Sequence, residues 1–201
     1  MNNKDIRKIT DFLFEMGTMR KIPRIHRQAL LTDDMSDNIA THSYRVTLIG
    51  WFLAKAEKVN PYKVVMMCLS HDMGEVRSND HNYIHKKYIK IFEDEIRNDQ
   101  LGELPFDELN VIASEYEERK SKESIVAKDA DLLDQILLLK EYVWQGNKEA
   151  ERWLEGKQRT DGSRHLHIEQ LKTKNAKLLG EMIVKTDPSD WWNNIFTNKN
   201  R

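Results

Sequence analysis

Residues 68–75 read CLSHDMGE, which sets His71 and Asp72 side by side at the end of an apolar run and puts Glu75 three positions after the aspartate. Adjacent residues on a helix point about a third of a turn apart, so this pair can converge only on an object as small as a metal ion. His42 opens a second apolar stripe, and a third apolar segment carries Asp129, Asp131 and Asp134. An unpaired carboxylate is costly to bury, so ionisable groups at such positions need partners or a cation. Two imidazoles and two carboxylates from three helices make a mixed nitrogen and oxygen site for one divalent ion such as Mn, Co, Mg, Zn or Fe. The single cysteine, Cys68, excludes a thiolate-rich structural zinc site and an intramolecular disulfide framework. Coordination positions left for water and substrate point to catalysis.

The elements that must position these groups read as helices. Ile6, Ile9, Leu13 and Met16 fall at helical spacing and Gly17 ends the pattern. Residues 20–40 read as a long irregular segment, and the cluster Arg20, Lys21 and Arg24 within it suggests function. From Thr41 to Lys58, the residues His42, Val46, Ile49, Leu53 and Ala56 form an inward stripe. Asn60-Pro61 then caps a helix that turns Val64, Val65, Cys68 and Leu69 inward and carries His71 and Asp72 in its last turn, with Gly74 placed to terminate it. Residues 78–83 read as a loop, 84–97 and 106–119 as two charged amphipathic helices, and 122–144 as an apolar central helix. A last helix over 166–185 precedes the aromatic tail DWWNNIF, whose tryptophans suit a packed anchor or a dimer contact. No strand pattern or repeat is visible, so the expectation is an all-α chain forming one domain over 1–201.

Composition narrows the function classes. Lys plus Arg (32) nearly balances Asp plus Glu (33), so no global field attracts nucleic acid or an acidic membrane. An anionic substrate must therefore be met by local basic residues. No apolar run approaches the roughly 18 to 20 residues that a membrane span needs, and the N-terminus lacks the apolar core of a signal peptide, so a cytoplasmic protein is expected.

Four ordered blocks, RKIPR at 20–24, NIATHSYRV at 38–46, LSHDMGEV at 69–76 and EYEERKSKESIVAKDADLLD at 115–134, resemble the HD-domain phosphohydrolases, and within them the 5'-deoxynucleotidase branch. The resemblance implies an HD-domain helical bundle with a metal site between core helices, a nucleotide substrate and a homodimer. It makes His42, His71, Asp72 and Asp131 the metal ligands. Helical periodicity alone leaves Asp129 and Asp131 as alternatives; the family pattern, an aspartate after Lys-x-Ala, selects Asp131. Glu75 matches the family's general acid/base, Asp80 an acidic residue near the nucleophilic water and substrate, and Arg24 its phosphate-binding arginine. The chain departs from the pattern at Thr41, where an acidic residue is usual, at Asn79-Asp80, where Gly-Asp is usual, and at His81-Asn82-Tyr83, where Pro-Thr or Pro-Ser follows. These departures touch the pocket and leave the ligand set intact.

The expected activity is metal-dependent removal of phosphate from (deoxy)nucleoside 5'-monophosphates. The ion polarises a phosphoryl oxygen and acidifies a water, Glu75 or Asp80 manages the proton, and Arg24 stabilises charge on the phosphate. One alternative is a dNTP triphosphohydrolase, with His81, His85, Lys86 and Lys87 reaching a polyphosphate tail. A second is a non-catalytic nucleotide-binding module.

Overall fold

The computed structural model describes residues 1–156, 166–193, 195, 197 and 199. In chain order its helices are α1 (Asn3–Met16), a 3-10 turn (Met19–Lys21), α2 (His26–Leu30), α3 (Ile39–Glu57), α4 (Pro61–Ser70), α5 (Glu75–Ser78), α6 (Tyr83–Lys86), α7 (Glu93–Leu101), α8 (Glu108–Glu118), α9 (Lys122–Trp144), α10 (Lys148–Leu154), α11 (His167–Gln170), α12 (Lys174–Lys185) and α13 (Asp190–Asn193). Among the described residues there is no strand, only one isolated bridge between Pro23 and Asn38. The all-α expectation holds.

The centre is α9, against which α3, α4, α8 and α12 pack. Its buried Val126, Ala127, Ala130, Leu133 and Ile136 meet Val46, Ile49 and Leu53 of α3 and Val64, Met67 and Cys68 of α4. Helices α3 and α4 approach closely at Gly50, where a Cβ would lie 2.5 Å from Cys68 Sγ and 3.2 Å from Val64 Cγ1. That approach brings the helix carrying His42 beside the helix that ends at His71. Asn38 starts α3 by accepting from Ala40 N and Thr41 N, and Asn60 starts α4 by accepting from Lys63 N. Each cap satisfies amide groups that the helix start leaves open, and so fixes where the helix begins.

Several sequence expectations change. Helix α4 ends at Ser70, so His71 is its C-cap and Asp72 lies in the following turn, where Met73 N bonds Ser70 O and Glu75 N bonds Asp72 O. Gly74 does not terminate α4; it has φ −61° and leads into α5. Leu69 is 48 % exposed, while Met67 is buried in its place. The expected helix over 84–97 is two, because Asn82 caps the short α6 and a new helix starts at Glu93, with three acidic residues in a first turn that favours them. The segment 20–40 is not wholly irregular: it contains α2, and backbone bonds from Arg24 N to Asp37 O and Ile39 N to Ile22 O tie its two ends together.

The expected helix over 166–185 breaks at Leu171, which is 1 % exposed. Asp129 of α9 captures the break: Lys172 N and Thr173 N donate to its carboxylate at 2.8 and 2.7 Å, and Thr173 Oγ1 donates at 2.7 Å. A long-range carboxylate thus supplies the acceptors that a helix continuation would have provided locally. The tail tryptophans, expected as a packed anchor or dimer contact, are exposed within this chain, Trp191 more than Trp192. None of the helices among the described residues is long and apolar enough to cross a membrane.

Candidate metal centre

His42 projects from the first turn of α3, His71 and Asp72 from the end of α4, and Asp131 from the middle of α9. Their polar atoms converge. His42 Nε2 lies 3.1 Å from His71 Nε2, 3.4 Å from Asp72 Oδ2 and 3.3 Å from Asp131 Oδ1. His71 Nε2 lies 3.2 Å from Asp72 Oδ2 and 3.8 Å from Asp131 Oδ1. Ligands about 2.0 to 2.1 Å from a common ion are separated by roughly 3.0 to 3.4 Å, so one divalent cation fits among His42, His71 and Asp72, with Asp131 Oδ1 bordering the same cluster from the His42 side.

The outer nitrogens decide which atoms are available. His42 Nδ1 donates to Asp134 Oδ2 at 2.6 Å, and His71 Nδ1 donates to the Cys68 carbonyl at 2.8 Å. Because both acceptors lack a proton to give, each Nδ1 carries the hydrogen and each Nε2 faces the cluster, where a proton or a cation can bind it. Two lone pairs facing each other at 3.1 Å require positive charge between them. Asp134 is itself held by the Arg45 guanidinium, which also reaches Glu141 Oε1 at 2.6 Å. Asp131 shares its other oxygen with Lys128 Nζ at 2.6 Å.

Arg24 and two more carboxylates flank the cluster. The Arg24 side chain is nearly buried, with Nη1 3.9 Å from Asp72 Oδ2 and Nε 3.5 Å from Asp80 Oδ2. Neither nitrogen has a hydrogen-bond partner, whereas Nη2 donates to His26 Nε2 at 3.2 Å. Asp80 Oδ2 also accepts from Ile25 N at 2.8 Å and so pins the Arg24 loop. Its neighbour Asn79 adopts φ 63° and ψ 165°, a region essentially reserved for glycine, which explains why Gly-Asp is the usual pattern here. Glu75 Oε2 is buried without a partner. A cavity of about 220 Å³ opens on His71, Asp72, Glu75 and Asp131 and extends between α6, α7 and α8.

A profile of the HD domain matches residues 19–172. The chain belongs to the HD-domain family. A curated relative, the 5'-deoxynucleotidase HDDC2 of Dictyostelium discoideum, is 30% identical over 123 residues, which are 54% of this chain and 64% of the relative. Among solved structures, a conserved hypothetical protein from Pyrococcus furiosus is 25% identical with a TM-score of 0.69, covering 88% of this chain and 99% of that one. The HD phosphohydrolase DatZ of cyanophage S-2L, solved with dA and one catalytic Zn2+ ion, shares the fold at 18% identity and a TM-score of 0.52, covering 86% of this chain and 96% of its own.

The electrostatics of this HD domain favour a cation at the cluster. Burial and Arg24 push the His42 imidazole down, yet Asp131, Asp134 and Asp72 together hold it well above its ordinary range. Burial pushes the Asp72 and Asp131 carboxyls up, and the surrounding imidazoles, with Arg24 for Asp72 and Lys128 for Asp131, outweigh it and hold both well below the usual range. Glu75 behaves oppositely: burial and the charges of Asp72 and Asp80 push it up to about 9. Proton and cation compete for His42 Nε2, so metal affinity is expected to fall by about tenfold per pH unit below the raised His42 value. Calorimetric titration with Mn2+ at several pH values checks this, and an affinity unchanged as pH falls would remove His42 from the ligand set.

The sequence singled out Asp134 of this HD domain without a partner and gave no sign of His26. Asp134 orients His42, and the only sequence signal was its position one turn after Asp131 on the same face of α9. His26 accepts from Arg24; burial and the Arg24 charge lower it to about 4, so it remains the neutral acceptor. No spacing rule connects His26 to the cluster, because α2 reaches it only through the fold.

Proposed function

We propose that this HD domain is a metal-dependent phosphomonoesterase acting on (deoxy)nucleoside 5'-monophosphates, with His42, His71, Asp72 and Asp131 as ligands of one divalent ion. The observation that carries the reading is the nearly buried Arg24 guanidinium, whose Nε and Nη1 have no hydrogen-bond partner beside the Asp72 carboxylate of the cluster. A planar guanidinium in that place suits a phosphoryl group lodged against a metal-binding cluster. The relationship to a 5'-deoxynucleotidase supports a nucleotide as substrate.

A bound divalent ion would polarise the phosphoryl oxygens and acidify a water. The remaining work falls to the chain's own groups. Arg24 orients the phosphate and offsets charge that grows on its oxygens in the transition state. Asp80 and His26 hold Arg24 in place, which leaves Asp80 engaged and Glu75 as the carboxyl free for proton transfer. With its pKa raised to about 9, Glu75 keeps a proton at neutral pH and can deliver it at Oε2 to the leaving 5'-oxygen. Products would be a nucleoside and inorganic phosphate.

The test is a release assay over nucleoside 5'-mono- and triphosphates with Mn2+, Co2+, Mg2+ and Zn2+. Phosphate released from monophosphates, with kcat/KM reduced about 100-fold or more by Arg24→Met, is the expected result. Triphosphate released from dNTPs alone would replace the reading with a triphosphohydrolase. Nucleotide binding without turnover under every metal would leave a binding module.

A further inference from the structure

The cavity beside the cluster does not run toward Arg24. Its wall from α6 to α9 carries Lys86, Arg97, Arg119 and Lys128. Two of these cations are at least partly engaged, Lys128 by Asp131 at 2.6 Å and Arg97 Nη2 by Asp94 at 2.7 Å. Arg97 Nε and Arg119 Nη1 nevertheless have no hydrogen-bond partner. Arg119 caps α8 in the left-handed region at φ 54°, and its guanidinium lies over the Tyr116 ring at 3.3 Å, which holds it ready without a bound anion. Tyr116 in turn packs edge-on against His71, so Arg119 stands two ring contacts from the cluster. Glu93 and Glu117 share the wall and limit its net charge, so recognition here would come from directed hydrogen bonds and not from a diffuse field.

A volume of 220 Å³ is that of about seven waters, more than one phosphoryl group fills. We infer that Arg97 and Arg119 form a second anion subsite, which binds a second phosphoryl group of the substrate while the first is held at the cluster and Arg24. This inference rests on the phosphohydrolase reading and adds that a nucleotide carrying a second phosphoryl group binds more tightly than the 5'-monophosphate. Water adds to the phosphorus held at the cluster, the P–O bond from that phosphorus to the rest of the nucleotide breaks with a proton passing to the leaving oxygen, and the subsite contributes binding alone. The second group can be the next phosphate of a 5'-polyphosphate or a phosphate on another sugar hydroxyl.

The metal-loaded protein is titrated calorimetrically with inorganic phosphate and with pyrophosphate, and KM is measured for a dNMP, the matching dNTP and the nucleoside 3',5'-bisphosphate. Pyrophosphate binding at least about tenfold tighter than phosphate is expected, as is a KM at least about tenfold below the dNMP value for one of the other two substrates. Which substrate gains tells where the second group sits. In the Arg97→Gln/Arg119→Gln protein both ratios should fall to within about twofold of one; if that protein is not folded by circular dichroism, Arg119→Gln alone should reduce them at least about threefold. Wild-type ratios near one, or ratios that survive in a folded variant, overturn the subsite. Turnover of the dNMP without those ratios sinks the subsite alone. Pyrophosphate preference that disappears in the variant, without turnover of any ester, upholds the subsite and sinks the phosphohydrolase reading.

Discussion

Asp131→Ala is expected to abolish specific metal binding and to lower turnover by about a thousandfold or more, while Asp129→Ala leaves the cluster's ligands in place and lowers the melting temperature. The two aspartates are two residues apart on α9 and face different partners. Asp131 Oδ1 lies 3.3 Å from His42 Nε2, so its removal takes a charged ligand from a buried site. Losing about 4 kcal/mol of transition-state stabilisation corresponds to that thousandfold. Asp129 is 1 % exposed and accepts three hydrogen bonds from Lys172 and Thr173. Its truncation leaves two part-buried backbone amides and a hydroxyl without their acceptor, a cost of about 1 to 3 kcal/mol. Metal titration and thermal denaturation of both variants separate the roles. Retained metal affinity in Asp131→Ala would falsify its assignment as a ligand.

Glu75→Gln should keep metal affinity within a fewfold of the unmodified protein and lose turnover by about 100-fold to 10,000-fold. The carboxyl is buried, one oxygen lacks a partner, and its pKa is pushed up to about 9, so at neutral pH it holds a proton that glutamine cannot transfer. The sign of the pH dependence follows. A proton donor with a raised pKa is competent below that value and is lost as pH rises through it. The rate should therefore decline on the alkaline side, and that limb should vanish in the variant. A bound cation would draw the value further down, which places the limb at or below about 9. The informative measurement is the pH profile of kcat with metal saturating; a variant with the same alkaline limb and near-normal turnover would hand proton transfer to another group.

How much of this was legible in the chain depends on which contacts are local. Helix α9 spans Lys122–Trp144, matching the apolar run over 122–144, and the Asn60-Pro61 cap starts α4, because caps and periodicity act within a few residues. His42, His71 and Asp72 stood out as ionisable groups on apolar stripes. The boundaries that failed were decided from a distance. Residues 166–185 could not keep one helix once Asp129 offered its carboxylate to the amides of Lys172 and Thr173. Gly74 looked like a helix stop, yet α4 ends where the turn into the cluster begins.

The residue types alone determined that this chain must be helical and must neutralise buried imidazoles and carboxylates together, since burying them apart is prohibitively costly. Only the tertiary structure shows Asp131 beside His42 and Asp129 against the turn at Lys172 and Thr173, because helical periodicity tells which residues face inward and not what stands opposite them. It also placed Asp134 behind His42, His26 against Arg24, and Arg97 and Arg119 on the wall of the cavity that the cluster shares. Those groups come from helices distant in sequence. Their meeting depends on how α3, α4, α8 and α9 pack, a property of the whole core that no short stretch of the chain contains.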